Sequence, residues 1–176
     1  MNLEFQEISP STIGVDKIEY MYQYNNVDYK IIFWDTAGRE RFRSITFNTC
    51  KNSKIILYLF NLSKTNDIDE ICIDEIRENI LYTKIYLIGN KLDLTRDNIG
   101  YYRKQAKILI DRGKIHKYFE VSAKTGERID TLKKNIEMDS TMIKENYEPK
   151  KNLLIRPSNS IKKINNLDKL SRYLSI

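Results

Sequence analysis

Short apolar runs alternate along this chain with stretches of helical periodicity. Strands are predicted at 54–61, 84–89 and 117–121, and helices at 67–82, 99–112 and 127–147. This alternation predicts parallel βαβ units and an α/β sheet covered by helices on both faces. Ahead of these units, 17–24 and 27–33 are rich in β-branched and aromatic residues and flank Asn25-Asn26, which predicts a β-hairpin because Asn tolerates positive φ. Ligands of such sheets bind where the strands end, at their carboxyl edge.

The composition indicates one soluble globular domain of a reducing compartment. The 176 residues are 41% hydrophobic and 31% charged, with a net charge of +6, and this length is enough for a sizeable core. Two cysteines, Cys50 and Cys72, and one histidine, His116, exclude a disulfide framework and a zinc site of the usual kind. No signal peptide, membrane-spanning run or basic-aromatic pattern is present, so we expect a cytoplasmic protein that does not bind nucleic acid.

A carboxylate and a glycine follow the second hairpin strand in the motif Asp35-Thr36-Ala37-Gly38. A carboxylate at a strand end can hold a water molecule of a magnesium ion, and a glycine lets a backbone N–H approach a phosphate closely. A motif this short is common, and the alternative is an ordinary polar turn.

Two further polar motifs each follow a predicted buried strand. In Asn90-Lys91-Leu92-Asp93, the carboxylate of Asp93 can accept both the ring N–H and the exocyclic amine of guanine, a donor pair that adenine lacks. In Ser122-Ala123-Lys124, the backbone N–H of Ala123 can donate to guanine O6. Each motif is weak by itself, but three in sequence after successive strands indicate a guanine-nucleotide site.

Three segments resemble the Rab family of Ras-like small GTPases. Residues 34–45 are WDTAGRERFRSI where Rabs have WDTAGQERFRS, residues 11–16 are STIGVD, and residues 119–126 are FEVSAKTG. The similarity extends from about Ser11 to about Tyr147. It implies the Ras-like P-loop GTPase fold, binding of GTP or GDP with Mg2+, and a switch that recruits effectors in vesicle trafficking.

The resemblance implies a role for each matching residue. Thr12 would bind Mg2+, and Asp35 would support the ion through water. The backbone of Gly38, with Thr36 and Ala37 beside it, would meet the γ-phosphate. The guanine would be held by the remaining residues of the predicted site, which are Asn90, Lys91, Asp93, Ser122, Ala123 and Lys124.

The chain departs from the family in its phosphate-binding part. The first strand and the P-loop G-x-x-x-x-G-K-[ST] have no counterpart in these 176 residues. About five charge-assisted hydrogen bonds are lost with the P-loop, at about 1.5–3 kcal/mol each, so we expect about micromolar or weaker nucleotide affinity. Loss of a central strand would also leave the strand edges near Ile31 and Ile56 unpaired.

Other departures concern hydrolysis and partners. Arg39 stands where Rabs place a glutamine that orients the attacking water, so we expect very slow hydrolysis. Lys17, Trp34 and Thr49 occupy the effector-contacting positions, of which Trp34 alone fits, so we expect weak binding of usual Rab effectors. The chain ends in SRYLSI without a cysteine for prenylation.

The chain is therefore divided into a Rab-like domain at 1–147 and a basic tail at 148–176. In the tail, Ile161, Ile164, Leu167, Leu170 and Leu174 recur at helical spacing among basic residues. This predicts an amphipathic helix that lies on a membrane, or a helix docked on the domain, or a frayed end. Three interpretations of the whole chain stay open: a Rab-related GTPase with an upstream start, a truncated non-hydrolysing module that titrates Rab regulators or effectors, and a decaying gene copy.

Overall fold

The computed structural model describes residues 15–36, 43–65, 68–80, 82–95 and 97–145. Within these ranges the strands are β1 (Val15–Tyr24), β2 (Val27–Thr36), β3 (Ile55–Asn61), β4 (Lys84–Asn90) and β5 (Lys117–Glu120). The α-helices are α1 (Arg43–Cys50), α2 (Glu70–Asn79), α3 (Ile99–Asp111) and α4 (Ile129–Glu145). None of the helices in this described part is long and apolar enough to cross a bilayer.

The last three strands form a parallel sheet in the order β3-β4-β5. Helix α2 connects β3 to β4, and α3 connects β4 to β5, so the predicted βαβ units and the α/β fold class are confirmed. Strands β1 and β2 form a separate antiparallel sheet of two strands. In the described part of the chain no ladder joins β2 to β3.

The turn between β1 and β2 has two residues in the left-handed region. Asn25 has φ 48° and Asn26 has φ 60°, and the ladder closes on the pair Tyr24 and Val27. Two successive positive φ angles match the right-handed twist of a hairpin, and Asn adopts them at low cost. The predicted hairpin is confirmed, with strands that extend to Val15 and Thr36.

The side chains of β4 alternate between two cores, one on each face of the parallel sheet. Ile85 and Leu87 pack with residues of α2 and α3, whereas Tyr86 and Ile88 pack with residues of α4. Burial of β4 on both faces was predicted and is confirmed. Strand β3 is also covered on both faces, since Ile56 and Phe60 belong to the first core and Leu57 and Leu59 pack against the second, but its residues other than Ile56 and Phe60 are half-buried. Strand β4 lies between two strands, whereas in the described part β3 has a neighbour on one side.

Two helices differ from their predicted bounds, and a third was not predicted. Helix α2 is shorter than 67–82 because the side chain of Asp69 accepts a hydrogen bond from Cys72 N at 3.0 Å, which caps its start, and Ile80 is extended. Helix α4 begins after Arg128, whose φ of 60° is left-handed. Helix α1 was not predicted, since its sequence RSITFNTC has weak helix propensity and is helical only in its tertiary context.

The hairpin packs on α4, which joins the two sheets. The Tyr20 hydroxyl donates to the carboxylate of Glu137, and the Tyr22 hydroxyl donates to the Glu137 carbonyl at 3.0 Å. Ile31 and Phe33 of β2 pack against the apolar cluster beneath α4. The hairpin is therefore held by side chains where it has no backbone ladder to the parallel sheet.

Candidate functional site

The carboxyl ends of the three parallel strands are bonded to one another through the backbone. Leu62 N, just after β3, donates to Asn90 O at 2.9 Å. Leu92 N, just after β4, donates to Val121 O at 3.1 Å. Because these bonds bridge neighbouring loops, the polar residues that follow the strands are brought to one edge of the sheet.

Asn90 connects two of the predicted motifs through its side chain. It is 3% exposed, and its Oδ1 accepts a hydrogen bond from the N–H of Ala123 at 3.0 Å. This amide was predicted as the donor to guanine O6, and in the structure it already donates to Asn90. A buried amide left without an acceptor costs about 1–3 kcal/mol, so Asn90 stabilises the convergence of the loops.

A second side-chain hydrogen bond joins the same loops on the solvent side. The hydroxyl of Ser122, which is fully buried, donates to Oδ1 of Asp93. The Ser122 oxygen in turn accepts from Thr125 N at 3.1 Å. Asp93 is exposed, so its carboxylate is oriented by a buried neighbour while it faces solvent.

Lys91 reverses the direction of the chain between Asn90 and Asp93. Its φ of 64° and ψ of 40° lie in the left-handed region, which is costly for a residue with a Cβ. A short 3-10 helix, Leu92–Leu94, follows it. Such strain persists where surrounding contacts impose it and is frequent at ligand sites. Lys91 is half-buried, and Lys124 in the facing loop is exposed.

Two residues of this edge were not among the predicted site residues. A Cβ on Gly89 would lie 2.6 Å from Cδ2 of Leu62, so only glycine lets the loop after β3 pass so close. Asn61 ends β3, and its Oδ1 accepts from Ser63 N at 2.9 Å. The sequence signal for Asn61 is the same as for the other motifs, a polar residue at the end of an apolar strand.

The end of β5 is fixed by a buried carboxylate. Both oxygens of Glu120 accept from Arg103 of α3 at 2.8 Å, and one also accepts from Arg128 at 2.8 Å. Burial acts to raise the pKa of Glu120, but the hydrogen bonds and charges of the two arginines outweigh it and hold the pKa below its usual value. Strand β5 is therefore attached to α3 and to the start of α4 immediately before Ser122.

The remaining predicted site residues lie elsewhere or outside the described ranges. Asp35 and Thr36 end β2 and are half-buried, in the hairpin sheet rather than the parallel sheet. Thr12, Ala37, Gly38 and Arg39 lie outside the described residues. Within the described ranges, no group of three or more His, Cys, Asp or Glu side chains could hold a metal ion.

The predicted effector-contacting residues lie on the outer face of the hairpin and on α1. Lys17 pairs with Trp34 across the ladder, and its ammonium lies 6.0 Å from the centroid of the Trp34 ring. Trp34 is 50% exposed, with Ile32 and Met21 exposed on the same face. Thr49 is half-buried in α1.

Comparison with known proteins places these features in one family. The model of the Ras family matches residues 1–141. The mouse protein named Ras-related protein Rab-26 is 31% identical over 123 residues, which are 68% of this chain and 46% of that protein. Human Ras-related protein Rab-37 is 30% identical over 126 residues, 68% of this chain and 54% of its own length. Ras-related protein Rab-4 of Dictyostelium discoideum is 27% identical over 132 residues, which are 73% of this chain and 63% of its own. The chain thus spans about half the length of the Rab-26 and Rab-37 proteins it matches.

Proposed function

We propose, from the premise that this chain belongs to the Ras family and is a Rab-like small GTPase, that the loops after β4 and β5 bind the base of a guanine nucleotide. The observation that supports the proposal is the pair of bonds Ala123 N to Asn90 Oδ1 and Ser122 Oγ to Asp93 Oδ1. These bonds hold the donor and acceptor groups that guanine requires at one edge of the sheet.

In this proposal Asp93 accepts the N1–H and the 2-amino group of the base. The charge of the carboxylate strengthens both hydrogen bonds, and the bond from Ser122 restricts its rotation. Guanine O6 shares the amide of Ala123 with Asn90 or displaces the Asn90 oxygen. The aliphatic stem of Lys91 covers one face of the base, and Lys124 closes the site from the β5 side.

The phosphates and Mg2+ would be held by the first predicted motif. Asp35 and Thr36 lie at the carboxyl end of β2, where a carboxylate and a hydroxyl suit the oxygen ligands that Mg2+ prefers. Thr12, Ala37 and Gly38 would contribute the other contacts. With Arg39 at the position that orients water, hydrolysis would be very slow, because a guanidinium has only donors.

Exchange of Asp93 for Asn provides the sharpest test of base recognition. Asn offers one acceptor and one donor in place of two acceptors, so it mismatches the 2-amino group of guanine and matches the 2-oxo group of xanthine. Asp93→Asn should lower the affinity for GDP about 10-fold to 150-fold, because a charged hydrogen bond contributes about 1.5–3 kcal/mol. The same substitution should raise the affinity for xanthosine diphosphate.

The measurement is a fluorescence titration with a labelled GDP, displaced by unlabelled GDP, ADP and xanthosine diphosphate. Ligand concentrations should extend to about millimolar, so that weak binding is still detected. A Kd of about 1 mM corresponds to a binding free energy of only about 4 kcal/mol. Equal displacement by GDP and ADP would contradict guanine recognition. Asp97→Asn is the matched control, because Asp97 is an exposed carboxylate outside the proposed site.

A second candidate function is supported by the exposed tryptophan. Trp34, Ile32 and Met21 form an apolar patch on the outer face of the hairpin, and large exposed aromatic residues are typical of protein interfaces. The chain would then act in vesicle trafficking as a non-hydrolysing module that titrates Rab regulators or effectors.

The test for this second function is competition. The chain, added in excess, should slow nucleotide exchange on a full-length Rab catalysed by its exchange factor, and Trp34→Ala should abolish the effect. Unchanged exchange rates in the presence of the wild-type chain would contradict it. Tyr82→Ala is a suitable control, since Tyr82 is 96% exposed but distant in sequence from the hairpin.

A further inference from the structure

A cavity of about 280 Å³ opens along the outer edge of β5. Its walls come from β5, α3 and the start of α4, and the lining residues are Arg103, Tyr118, Phe119, Glu120, Arg128 and Thr131. Because successive side chains of a strand point to opposite faces of the sheet, a cavity lined by three consecutive residues follows the edge of the strand. Strand β4 occupies the other edge of β5, so the cavity opens away from the loop after β4.

The wall of this cavity has an excess of positive charge. The carboxylate of Glu120 is buried and meets two guanidiniums, those of Arg103 and Arg128, each at 2.8 Å. One arginine would neutralise this carboxylate, so the group of three keeps one net positive charge. Glu127 lies 3.8 Å from Nε of Arg128, but both side chains are about half exposed, and such a pair is weak.

Both guanidiniums keep hydrogen-bond donors for a ligand. Arg103 bonds to Glu120 through Nε and Nη2, and Arg128 bonds to it through Nη1. A guanidinium has five N–H groups, so Nη1 of Arg103 and Nη2 of Arg128 remain, and neither has a hydrogen-bond partner within the described residues. The two side chains are 58% and 48% exposed, yet Glu120 fixes their positions. Binding of a ligand would therefore not include the entropy cost of ordering them.

Helix α4 begins beside the cavity and adds to its positive potential. Leu132 N donates to Arg128 O at 3.2 Å, so the amides of Asp130 and Thr131 precede the helical ladder. Such amides have no intrahelical acceptor, and the end of a helix where they lie is positive. Thr131 is exposed, and its hydroxyl is a further donor at the cavity. The exposed carboxylate of Asp130 offsets part of this potential.

We propose that this cavity binds the phosphate group of a small phosphomonoester, between Nη1 of Arg103, Nη2 of Arg128 and the first turn of α4 at Thr131. Planar guanidinium N–H groups fit phosphate oxygens, and the charges strengthen these hydrogen bonds. A phosphomonoester has a charge of about −1.5 to −2 at neutral pH, so it matches this excess of positive charge better than a carboxylate does. The site is independent of the loops proposed to bind guanine.

The size of the cavity and its aromatic residues limit the ligand. Pockets for drug-sized ligands have volumes of about 300–1,000 Å³, so this smaller cavity suits a phosphate with a small organic group rather than a nucleotide. Tyr118 and Phe119 add apolar surface that the organic group would cover. A phosphorylated metabolite and a phosphorylated side chain share this chemistry.

Two-dimensional ¹H–¹⁵N NMR of the 176-residue chain measures binding at this site. The probe is inorganic phosphate, exchanged for chloride at constant ionic strength and pH so that general screening does not change. The Nε–H signals of Arg103 and Arg128 and the amide signals of Asp130 and Thr131 should shift together and saturate. Half-saturation is expected at about millimolar phosphate, as for a few charged hydrogen bonds at an open site.

Substitutions of Thr131 test the site without removing an arginine that anchors β5. Thr131→Glu places a carboxylate at the cavity and should weaken phosphate binding at least about tenfold. A glutamate in the first turn of a helix is compatible with the helix dipole, so the fold should persist. Thr131→Gln, similar in size but neutral, is the matched control and should stay within about twofold of wild type. Asn52→Glu adds the same charge at an exposed turn before β3 and should leave binding unchanged.

Two further variants test the sign of the effect and its independence. Glu127→Gln should raise the affinity for phosphate about twofold to fivefold, because Arg128 loses a competing carboxylate. Asp93→Asn, which is expected to weaken guanine binding, should leave the phosphate titration unchanged. Failure of this proposal is thereby distinguished from failure of the proposed guanine site.

Phenyl phosphate and O-phosphoserine distinguish the possible sources of the phosphate. Tighter binding of phenyl phosphate than of inorganic phosphate would support an aromatic phosphomonoester that covers Tyr118 and Phe119. Tighter binding of O-phosphoserine would support a phosphorylated side chain.

Three results would overturn the proposal. The arginine signals would not saturate with phosphate, or Thr131→Glu and Thr131→Gln would bind phosphate equally. Alternatively, acetate at the same concentration would produce the same shifts as phosphate, and the cavity would then not select a phosphate group.

Discussion

Replacing Asn90 by Ala tests whether one buried side chain holds the loops of the candidate site together. The change removes the Oδ1 that accepts from Ala123 N at 3.0 Å, and Ala123 is 4% exposed, so water reaches the orphaned amide poorly. The backbone bond from Leu62 N to Asn90 O is retained.

The expected loss follows from these contacts. A buried amide without an acceptor costs about 1–3 kcal/mol in the free energy of unfolding. For a chain of this size each 1 kcal/mol lowers the melting temperature by about 2–4 °C, so we expect a decrease of about 2–12 °C.

Urea denaturation followed by far-UV circular dichroism measures this loss. The midpoint should fall with little change in slope, since the substitution hardly alters the amount of surface that unfolding exposes. Asn79→Ala is the matched control: its side chain donates to Glu75 O at 2.8 Å on the exposed side of α2, and its effect should stay within about 0.5 kcal/mol. If both variants unfold at the wild-type midpoint, the Asn90 side chain does not stabilise the site.

Three further predictions concern the same sheet. Gly89→Ala should lower stability by about 1–3 kcal/mol in thermal melts, since the new methyl would overlap Leu62 at 2.6 Å; an unchanged melt would show that the loop yields freely. Glu120→Gln should cost about 1–2 kcal/mol at neutral pH by urea titration, because two arginines lose a charged acceptor; equal midpoints would refute it. Burial and the charges of Arg77 and Lys84 lower the pKa of His116. The neutral imidazole therefore stabilises the fold above the ordinary histidine pKa, and this stability is lost as the pH falls below that value. NMR titration of this single imidazole should therefore give a pKa below about 6.5, and His116→Asn should flatten the pH dependence of unfolding near pH 6.

The chain's local patterns were sufficient to predict most of the secondary structure. The turn at Asn25-Asn26 could be predicted because positive φ is a property of the residues themselves. The full burial of β4 could be predicted because a continuous apolar run stabilises a strand only between two covered faces. Asn90 and Ser122 could be singled out because each is a polar residue at the end of a parallel strand, and parallel strands place their carboxyl ends at one edge of the sheet.

Contacts between distant segments were decided by the tertiary structure. Periodicity could not show that the Ala123 amide is occupied by Asn90, thirty-three residues away in sequence. Nor could it show that Asp139, a polar residue of an amphipathic helix, is buried and forms ion pairs with the partly exposed Lys84 and Lys117. Helix α1 forms although its sequence has weak helix propensity, so local preference could not predict it.

By itself, then, the sequence determined which segments become strands, where the hairpin turns and which polar motifs follow the strands, because these depend on backbone preferences and apolar spacing within a few residues. Only the tertiary structure decided which donor meets which acceptor and how closely Leu62 passes Gly89. Those contacts depend on the angle and separation at which distant elements pack, and the order of residues along the chain contains no direct measure of either.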